Sequence, residues 1–276
     1  MKIAILLATY NSERYISEQI ESILNQTNHD WVLYIRDDGS TDKTLEIIGN
    51  YLKDYSNRII LIVDNKGALR SYYNFMELLR VVNADYYLFC DHDDVWLPNK
   101  IEITMNRMCE LERNYPYAPV VVHTDMKVVD QQLKVLSESF WKYSRLLPSH
   151  CSFWELVSCN CVNGCTMLFN KAAKETVYGH ESYCLMHDTL VAQSVAAAGG
   201  IISAVKEPTV LYRQHADNVI GASDARRMYF MRKIKLIRST YNSNMTVWKR
   251  ACHIKQASFL FFLWTKAKIS LLRFIK

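Results

Sequence analysis

The chain has 276 residues, 50% of them hydrophobic, with only 8 glycines and 5 prolines. This size and composition support one substantial core, or one core with a small appendage, and exclude disorder over most of the length. The net charge of +5 hides an asymmetry, because residues 224–276 hold 13 Lys or Arg and one acid while the first 223 residues hold 20 basic and 27 acidic residues.

In chain order, the β-branched apolar run Lys2–Ala8 predicts a central strand. It is too short, and passes too soon into Thr9-Tyr10-Asn11, to be a signal peptide. Ser12 is a candidate N-cap for a helix carrying Ile16, Ile20, Ile23 and Leu24. A second strand is expected over Trp31–Arg36, a turn at Asp38-Gly39-Ser40-Thr41, and a helix over Lys43–Tyr55. A third strand (Arg58–Val63), a third helix (Ser71–Val82) and a fourth strand (Asp85–Cys90) follow, and Pro98 opens another helix at its first turn. Strands alternating with helices predict an α/β fold with an open, mostly parallel sheet.

The second half is less regular. Strands are expected over Val120–His123, Cys165–Phe169 and Ile201–Tyr212, the last broken at Pro208, with a helix over Asp188–Ala198. Asp224–Tyr241 and Trp248–Arg273 read as basic helices. No apolar run reaches the ~18 residues of a membrane span. The 8 cysteines, without a signal sequence, predict reduced thiols in a cytosolic protein. Cys159, Cys161 and Cys165 form C-x-C-x3-C, which lacks the paired spacing of common zinc sites, so buried free thiols are expected.

Three polar motifs follow the carboxyl ends of predicted strands: Thr9-Tyr10-Asn11, Asp37-Asp38 and Asp91-His92-Asp93. In open parallel sheets that edge holds the ligand. The stretch FCDHDDVW puts Asp91, Asp93 and Asp94 within four positions. Such carboxylates repel unless water or a cation sits among them. Aspartates at i and i+2 after a strand can approach one divalent cation, and oxygen ligands suit Mg2+ or Mn2+; the alternative is a solvated acidic loop. Asp37-Asp38-Gly39-Ser40 reads either as an Asp-Gly turn or as a carboxylate accepting hydrogen bonds from a base or ribose. The Tyr10 ring offers a face for a base. Dinucleotide, P-loop and nucleophile-elbow signatures are all missing.

The sequence resembles the family 2 inverting glycosyltransferases of GT-A fold, which use nucleotide sugars. The matching pieces run in order: ATYNSERYISEQIESIL (8–24), IRDDGSTDKTLEII (35–48), FCDHDDVWLPNKIE (89–102), NGCTMLFN (163–170), MHDTLVA (186–192) and LYRQHADNVIGA (211–222). Two of them particularly resemble the rhamnosyltransferase-like branch that builds bacterial surface polysaccharides. The likeness covers about residues 1–222.

The resemblance implies a Rossmann-like, mostly parallel central sheet flanked by helices, with a basic helical C-terminal extension. It places Thr9, Tyr10, Asn11, Glu13 and Asp37 on the donor side, with Asp91 at the ribose or metal region and Arg213 near the diphosphate. It makes Asp93 the ligand of Mn2+ or Mg2+, with His215 a further metal or diphosphate ligand. Asp188 matches the general base, although it can equally cap the helix that follows. Asp94, Trp96, Asn163 and Gly164 fall on the acceptor side; Trp96 either stacks on a sugar or packs in the core. Two residues depart from the branch: Thr189-Leu190 replaces aromatic residues after HD, and His92 stands where glutamine is expected.

The expected organisation is a glycosyltransferase domain over 1–223, with a nucleotide-sugar-binding half (1–118), an acceptor-side half (119–223) and a basic amphipathic tail (224–276). The expected reaction moves L-rhamnose from dTDP-rhamnose to a hydroxyl of a growing, lipid-linked bacterial glycan. A UDP-hexose donor is the alternative. A nucleotidyltransferase would need a glycine-rich loop that ATYNSER lacks, and a non-catalytic glycan-binding protein would lack Asp93 or Asp188. The tail suits an anionic membrane surface, which places the protein in the cytoplasm, peripheral on the inner face of the plasma membrane. No nucleic-acid recognition motif occurs.

Overall fold

A computed structural model describes residues 1–181, 183, 186–215 and 237–275. Strand β1 (Ile3–Thr9) is buried along its whole length. It pairs in parallel with β2 (Trp31–Asp37) on one side and β4 (Tyr86–Asp91) on the other, and β3 (Ile59–Leu61) pairs in parallel with β2. Alternation along β1 explains why both of its faces are apolar. Ile3, Ile5 and Leu7 pack with Ile16, Ile20 and Ile23 of helix α1 (Ile16–Leu24) and Ile48 of α2 (Thr44–Asp54). Ala4, Leu6 and Ala8 face the other layer, with Tyr72, Phe75 and Leu78 of α3 (Arg70–Val81). Both faces of the parallel half are thus covered by helices.

Beyond β4 the sheet is mixed rather than mostly parallel. β5 (Val95–Trp96) leads into α4 (Lys100–Asn114), then β6 (Val120–Val129) and β7 (Val135–Ser137). Two short helices, α5 (Phe140–Tyr143) and α6 (Phe153–Ser158), precede a 3-10 turn (Gly164–Thr166) and β8 (Met167–Asn170). Helices α7 (Lys171–Glu175) and α8 (His187–Ala197) lead to β9 (Ile201–Arg213). The sheet order is β3-β2-β1-β4-β8-β6-β9-β5, with β7 paired to β6. β8 runs antiparallel to β4 and β6, while β9 is parallel to β6. One sheet therefore joins the two halves of the chain.

Four expectations differ from the structure. Ser12 does not cap α1 with its side chain: its carbonyl accepts the Tyr15 and Ile16 amides, and its own amide donates to Thr44 Oγ1 at 2.8 Å, tying the loop to α2. Pro98 lies before α4 and accepts the Thr27 amide through its carbonyl. β6 continues past His123 because the polar residues His123, Thr124 and Asp125 are themselves buried. β9 passes unbroken through Pro208, where its register against β6 shifts opposite Asp125. A bulge is where a sheet tolerates a residue without an N–H.

In the tail, Trp248 belongs to α9 (Ile237–Cys252), and its indole donates to the Ala257 carbonyl at 3.0 Å across the turn into α10 (Phe259–Ile275). The helical expectation for residues 224–236 lies outside the described residues. The inner face of α10 buries Phe262 against Phe153 and Trp154 of α6. Arg273 Nε donates to the Arg145 carbonyl at 2.8 Å, and Lys268 pairs with Glu155. The tail thus packs on the body.

Candidate active site

The strand register brings the polar motifs together. Thr9 lies opposite Asp37, and Ala8 opposite Asp91. The sheet order reverses between β1 and β4, and α1 and α3 cover opposite faces there. A crevice at this switch point is where open α/β sheets bind ligands.

On the donor side, Thr9 Oγ1 donates to Asp37 Oδ1 at 2.9 Å. Asp37 Oδ2 accepts the Gly39 and Ser40 amides at 3.0 and 2.8 Å, in a turn where Gly39 takes φ of +89°. Asn11 and Glu13 join this loop to the first. The Asn11 amide donates to Ser40 Oγ and its Oδ1 accepts the Thr41 amide, while Glu13 accepts the Lys43 amide. Both therefore position the two loops. Tyr10, the residue after β1 at this edge, is 53% exposed.

Sequence reasoning missed the support behind this edge. Arg36 is buried; its guanidinium meets Asp64 through two hydrogen bonds of 2.9 and 3.0 Å and Asp38 at 3.0 Å. Asp38 in turn accepts the Leu69 and Arg70 amides, both at 2.6 Å. The signal was an arginine inside a strand of apolar residues, since a buried cation demands partners. The Arg36 hydrogen bonds hold the Asp64 carboxyl down to about 2.

The acidic stretch separates into distinct roles. Asp93 Oδ2 lies 2.9 Å from His215 Nε2. Burial opposes ionisation of Asp93, yet the hydrogen bond from His215 and the His92 charge keep its carboxyl below the usual range. Burial, then Asp93 and Asp188, push the Asp91 carboxyl up to about 8. Asp94 has no exposed surface; its Oδ1 accepts the Arg213 amide at 3.1 Å, and burial drives its carboxyl well up. Asp94 is thus part of the loop's foundation and does not face an acceptor.

Arg213 is also corrected. It is buried beneath the acidic loop, where its Nε donates to the Asp93 carbonyl at 2.9 Å and its Nη1 to the Gln131 carbonyl at 2.7 Å. Nη2 pairs with Glu18 of α1, and the Tyr15 ring lies against the guanidinium. It holds the loop rather than presenting its charge to a diphosphate. Trp96, 2% exposed, packs in the core under the Lys100 ammonium, 4.8 Å from its ring centre, and is not presented to a sugar.

The residues present fit a divalent cation. Asp93 and His215 converge, and Asp91, whose carboxyl is raised chiefly by burial and then by the Asp93 charge, is near enough for a cation to offset that repulsion. Carboxylate oxygens with an imidazole nitrogen suit Mn2+ well and Mg2+ acceptably.

Across the crevice, Asp188 sits in the first turn of α8. Its Oδ2 accepts the Gly164 amide at 3.1 Å, and its Oδ1 accepts the Thr189 hydroxyl at 3.1 Å. The departure at Thr189 thus serves to orient Asp188. Gly164 is necessary here: a Cβ on it would lie 2.6 Å from His187 Nε2. His187, also missed, stacks on Phe75 with ring centres 3.9 Å apart, and burial lowers its pKa to about 4. Asn163 shapes the turn by accepting the Thr166 amide at 3.0 Å. Of the four expected acceptor-side residues, Asn163 and Gly164 border Asp188, whereas Asp94 and Trp96 are buried beneath the crevice.

Residues 4–177 match the family model described as Glycosyl transferase family 2. The dTDP-rhamnosyl transferase RfbG of Shigella flexneri is 28% identical over 230 residues, which cover 79% of this chain and 74% of that protein. The putative glycosyltransferase EpsE of Bacillus subtilis is 38% identical over 130 residues, 47% of this chain and 45% of that one. Among solved structures, the mannosyltransferase PcManGT from Pyrobaculum calidifontis, in complex with GDP-Man and Mn2+, superposes with a TM-score of 0.61 at 14% identity, covering 98% of this chain and 73% of that one. That likeness shows a shared GT-A fold.

Proposed function

We propose that this chain, which belongs to glycosyltransferase family 2, transfers a sugar from a nucleotide diphosphate donor to a hydroxyl of a bacterial surface glycan, inverting the anomeric carbon. The carrying observation is that Asp188, held by the Gly164 amide, follows His187, whose ring meets edge-on that of Phe89 in β4, two residues before Asp91. On this reading the base and the diphosphate site share one crevice.

Thr9, Tyr10 and Asp37 hold the base and ribose, with Tyr10 supplying the exposed ring. Asp93 and His215, beside Asp91, would hold Mn2+ or Mg2+, which when bound neutralises charge developing on the leaving diphosphate. Asp188 takes the proton of the acceptor hydroxyl as that oxygen forms its bond to the anomeric carbon and the bond to the diphosphate breaks. The Gly164 amide and the Thr189 hydroxyl aim the base from the first turn of α8. The likeness to a dTDP-rhamnosyl transferase supports L-rhamnose from dTDP-rhamnose as the first donor to test, with UDP-hexoses second.

The acceptor is lipid-linked on this reading, and the tail brings the enzyme to it. The outer face of α10 exposes Leu260, Phe261, Trp264, Leu271 and Phe274, with Lys268 over the Trp264 ring. An aromatic face in a segment with 13 Lys or Arg and one acid suits an anionic bilayer surface. No helix among the described residues is long and apolar enough to cross a membrane.

The test is a screen of nucleotide sugars with Mn2+ or Mg2+, reading thermal protection and transfer. The expected result is one donor that protects and is consumed, with Asp188→Asn keeping protection and losing transfer. Full transfer by Asp188→Asn would overturn the assignment of the base.

A further inference from the structure

The cysteines adjacent in sequence are not the ones adjacent in space. Cys165 lies beside Asp91 and Asp94, while Cys161 meets Cys151, from the far side of α6, with 3.6 Å between sulfur atoms. His123 of β6 completes this second group, and the donor atoms of all three residues lie within 4.8 Å of one another. His123 has no exposed surface, and neither of its ring nitrogens has a hydrogen-bond partner among the described residues. An unsatisfied buried polar group costs about 1–3 kcal/mol, and here an imidazole with two such nitrogens borders a pair of thiols.

We propose that His123, Cys151 and Cys161 bind a zinc ion, a second metal site separate from the catalytic crevice. Two sulfurs and an imidazole are a donor set for Zn2+, which takes thiolate at about 2.3 Å in tetrahedral geometry. That geometry sets the two sulfurs about 3.8 Å apart. A disulfide would need about 2.05 Å, and it would leave His123 unused. On binding, each thiol gives its proton to solvent, and two thiolates neutralise the dication. The resulting neutral centre is compatible with its buried surroundings. Cys151 is half-buried and provides the route of entry, whereas Cys161 is buried. A fourth position is left for water.

The site would have a purpose in the fold. Cys151 and Cys161 bracket α6, and Cys161 lies shortly before Gly164, whose amide holds Asp188. Zinc would pin this segment to β6 and so fix the turn against which Asp188 rests.

The experiment uses the full chain, reduced, stripped with a chelator, and held in excess Mg2+ to occupy the carboxylate site. Zn2+ alone is then added, with Co2+ as an optical probe. The expected result is stoichiometric zinc retained after desalting, a sulfur-to-cobalt charge-transfer band, and slower hydrogen exchange over residues 151–164 with zinc. Cys151→Ser and Cys161→Ser lose the band, while Cys159→Ser keeps it. His123→Gln loses the slowed exchange. Because the band is read on the unmodified protein, misfolding of a variant does not decide the matter. Absence of a sulfur-to-cobalt band in the reduced protein, or its persistence in both serine variants, would overturn the proposal. A Cys151–Cys161 disulfide in protein that binds no zinc once reduced would overturn it equally.

Discussion

Gly164 stands against Asp188 with its amide 3.1 Å from the carboxylate and no space for a side chain. The obstruction is His187 Nε2, 2.6 Å from where a Cβ would sit. His187 cannot swing aside freely because it is stacked on Phe75 and meets Phe89 edge-on. Gly164→Ala should therefore cost about 1–3 kcal/mol of stability by overpacking. Its effect on turnover should be larger, because a shift of about 1 Å in a catalytic group can cost 10²-fold. Denaturant unfolding and steady-state rates, measured together, separate the two effects. A normal turnover number would show that Asp188 does not depend on this contact.

Arg213 supports Asp93 through the backbone, so its replacement should act on the metal site indirectly. Lysine cannot reproduce a planar fork that reaches the Asp93 carbonyl, the Gln131 carbonyl and Glu18 at once. Arg213→Lys should weaken activation by Mn2+ about 10–100-fold, the usual cost of losing a group that orients a ligand. The concentration of Mn2+ giving half-maximal activity is the readout. An unchanged value, with turnover alone reduced, would return Arg213 to direct contact with donor.

The Arg36–Asp64 pair gives the protein a defined sensitivity to acid. Asp64 titrates near 2 in the folded chain against an ordinary 3.8, chiefly through its hydrogen bonds from Arg36. Its folded value is depressed, so the stability it contributes is present above about pH 4 and is lost as pH falls through about 2. Urea midpoints should fall across that window. Asp64→Asn should flatten part of the fall and leave a remainder, because Glu77 and Glu155 are also held near 2. An identical slope in wild type and variant would refute the assignment.

These networks show which parts of the site were legible in the sequence. Thr9, Asp37 and Asp91 could be placed on one edge because strand ends can be read from apolar runs, and the register later puts them side by side. Asp94 and Trp96 could not be placed, because a residue's depth below a crevice depends on elements far away in sequence: Asp94 is covered by Arg213, and Trp96 by α1 and α4. Periodicity also failed along β6, where His123, Thr124 and Asp125 are polar yet buried, Thr124 bonded to Thr209 and Asp125 to Ser139. The mixed half of the sheet was hidden for a related reason. Strand direction beyond β4 is set by long-range pairing rather than by local pattern.

The tail has two faces, and they should respond differently to substitution. Phe262 points inward and is fully buried with Phe153 and Trp154 of α6, so Phe262→Ala should cost about 3–5 kcal/mol of stability. Removing residues 224–276 would uncover the same aromatic surface, so loss of vesicle binding in that truncation could reflect a damaged body. Phe261 and Trp264 point outward, and Trp264 is 61% exposed beside Lys268. The double substitution Phe261→Ser and Trp264→Ser should leave the melting temperature unchanged and reduce co-sedimentation with anionic vesicles. Raised salt should reduce it further, since each Lys or Arg near an anionic surface contributes about 1 kcal/mol that ions screen. Equal sedimentation of wild type and double variant at every salt concentration would remove the outer face of α10 from the interaction.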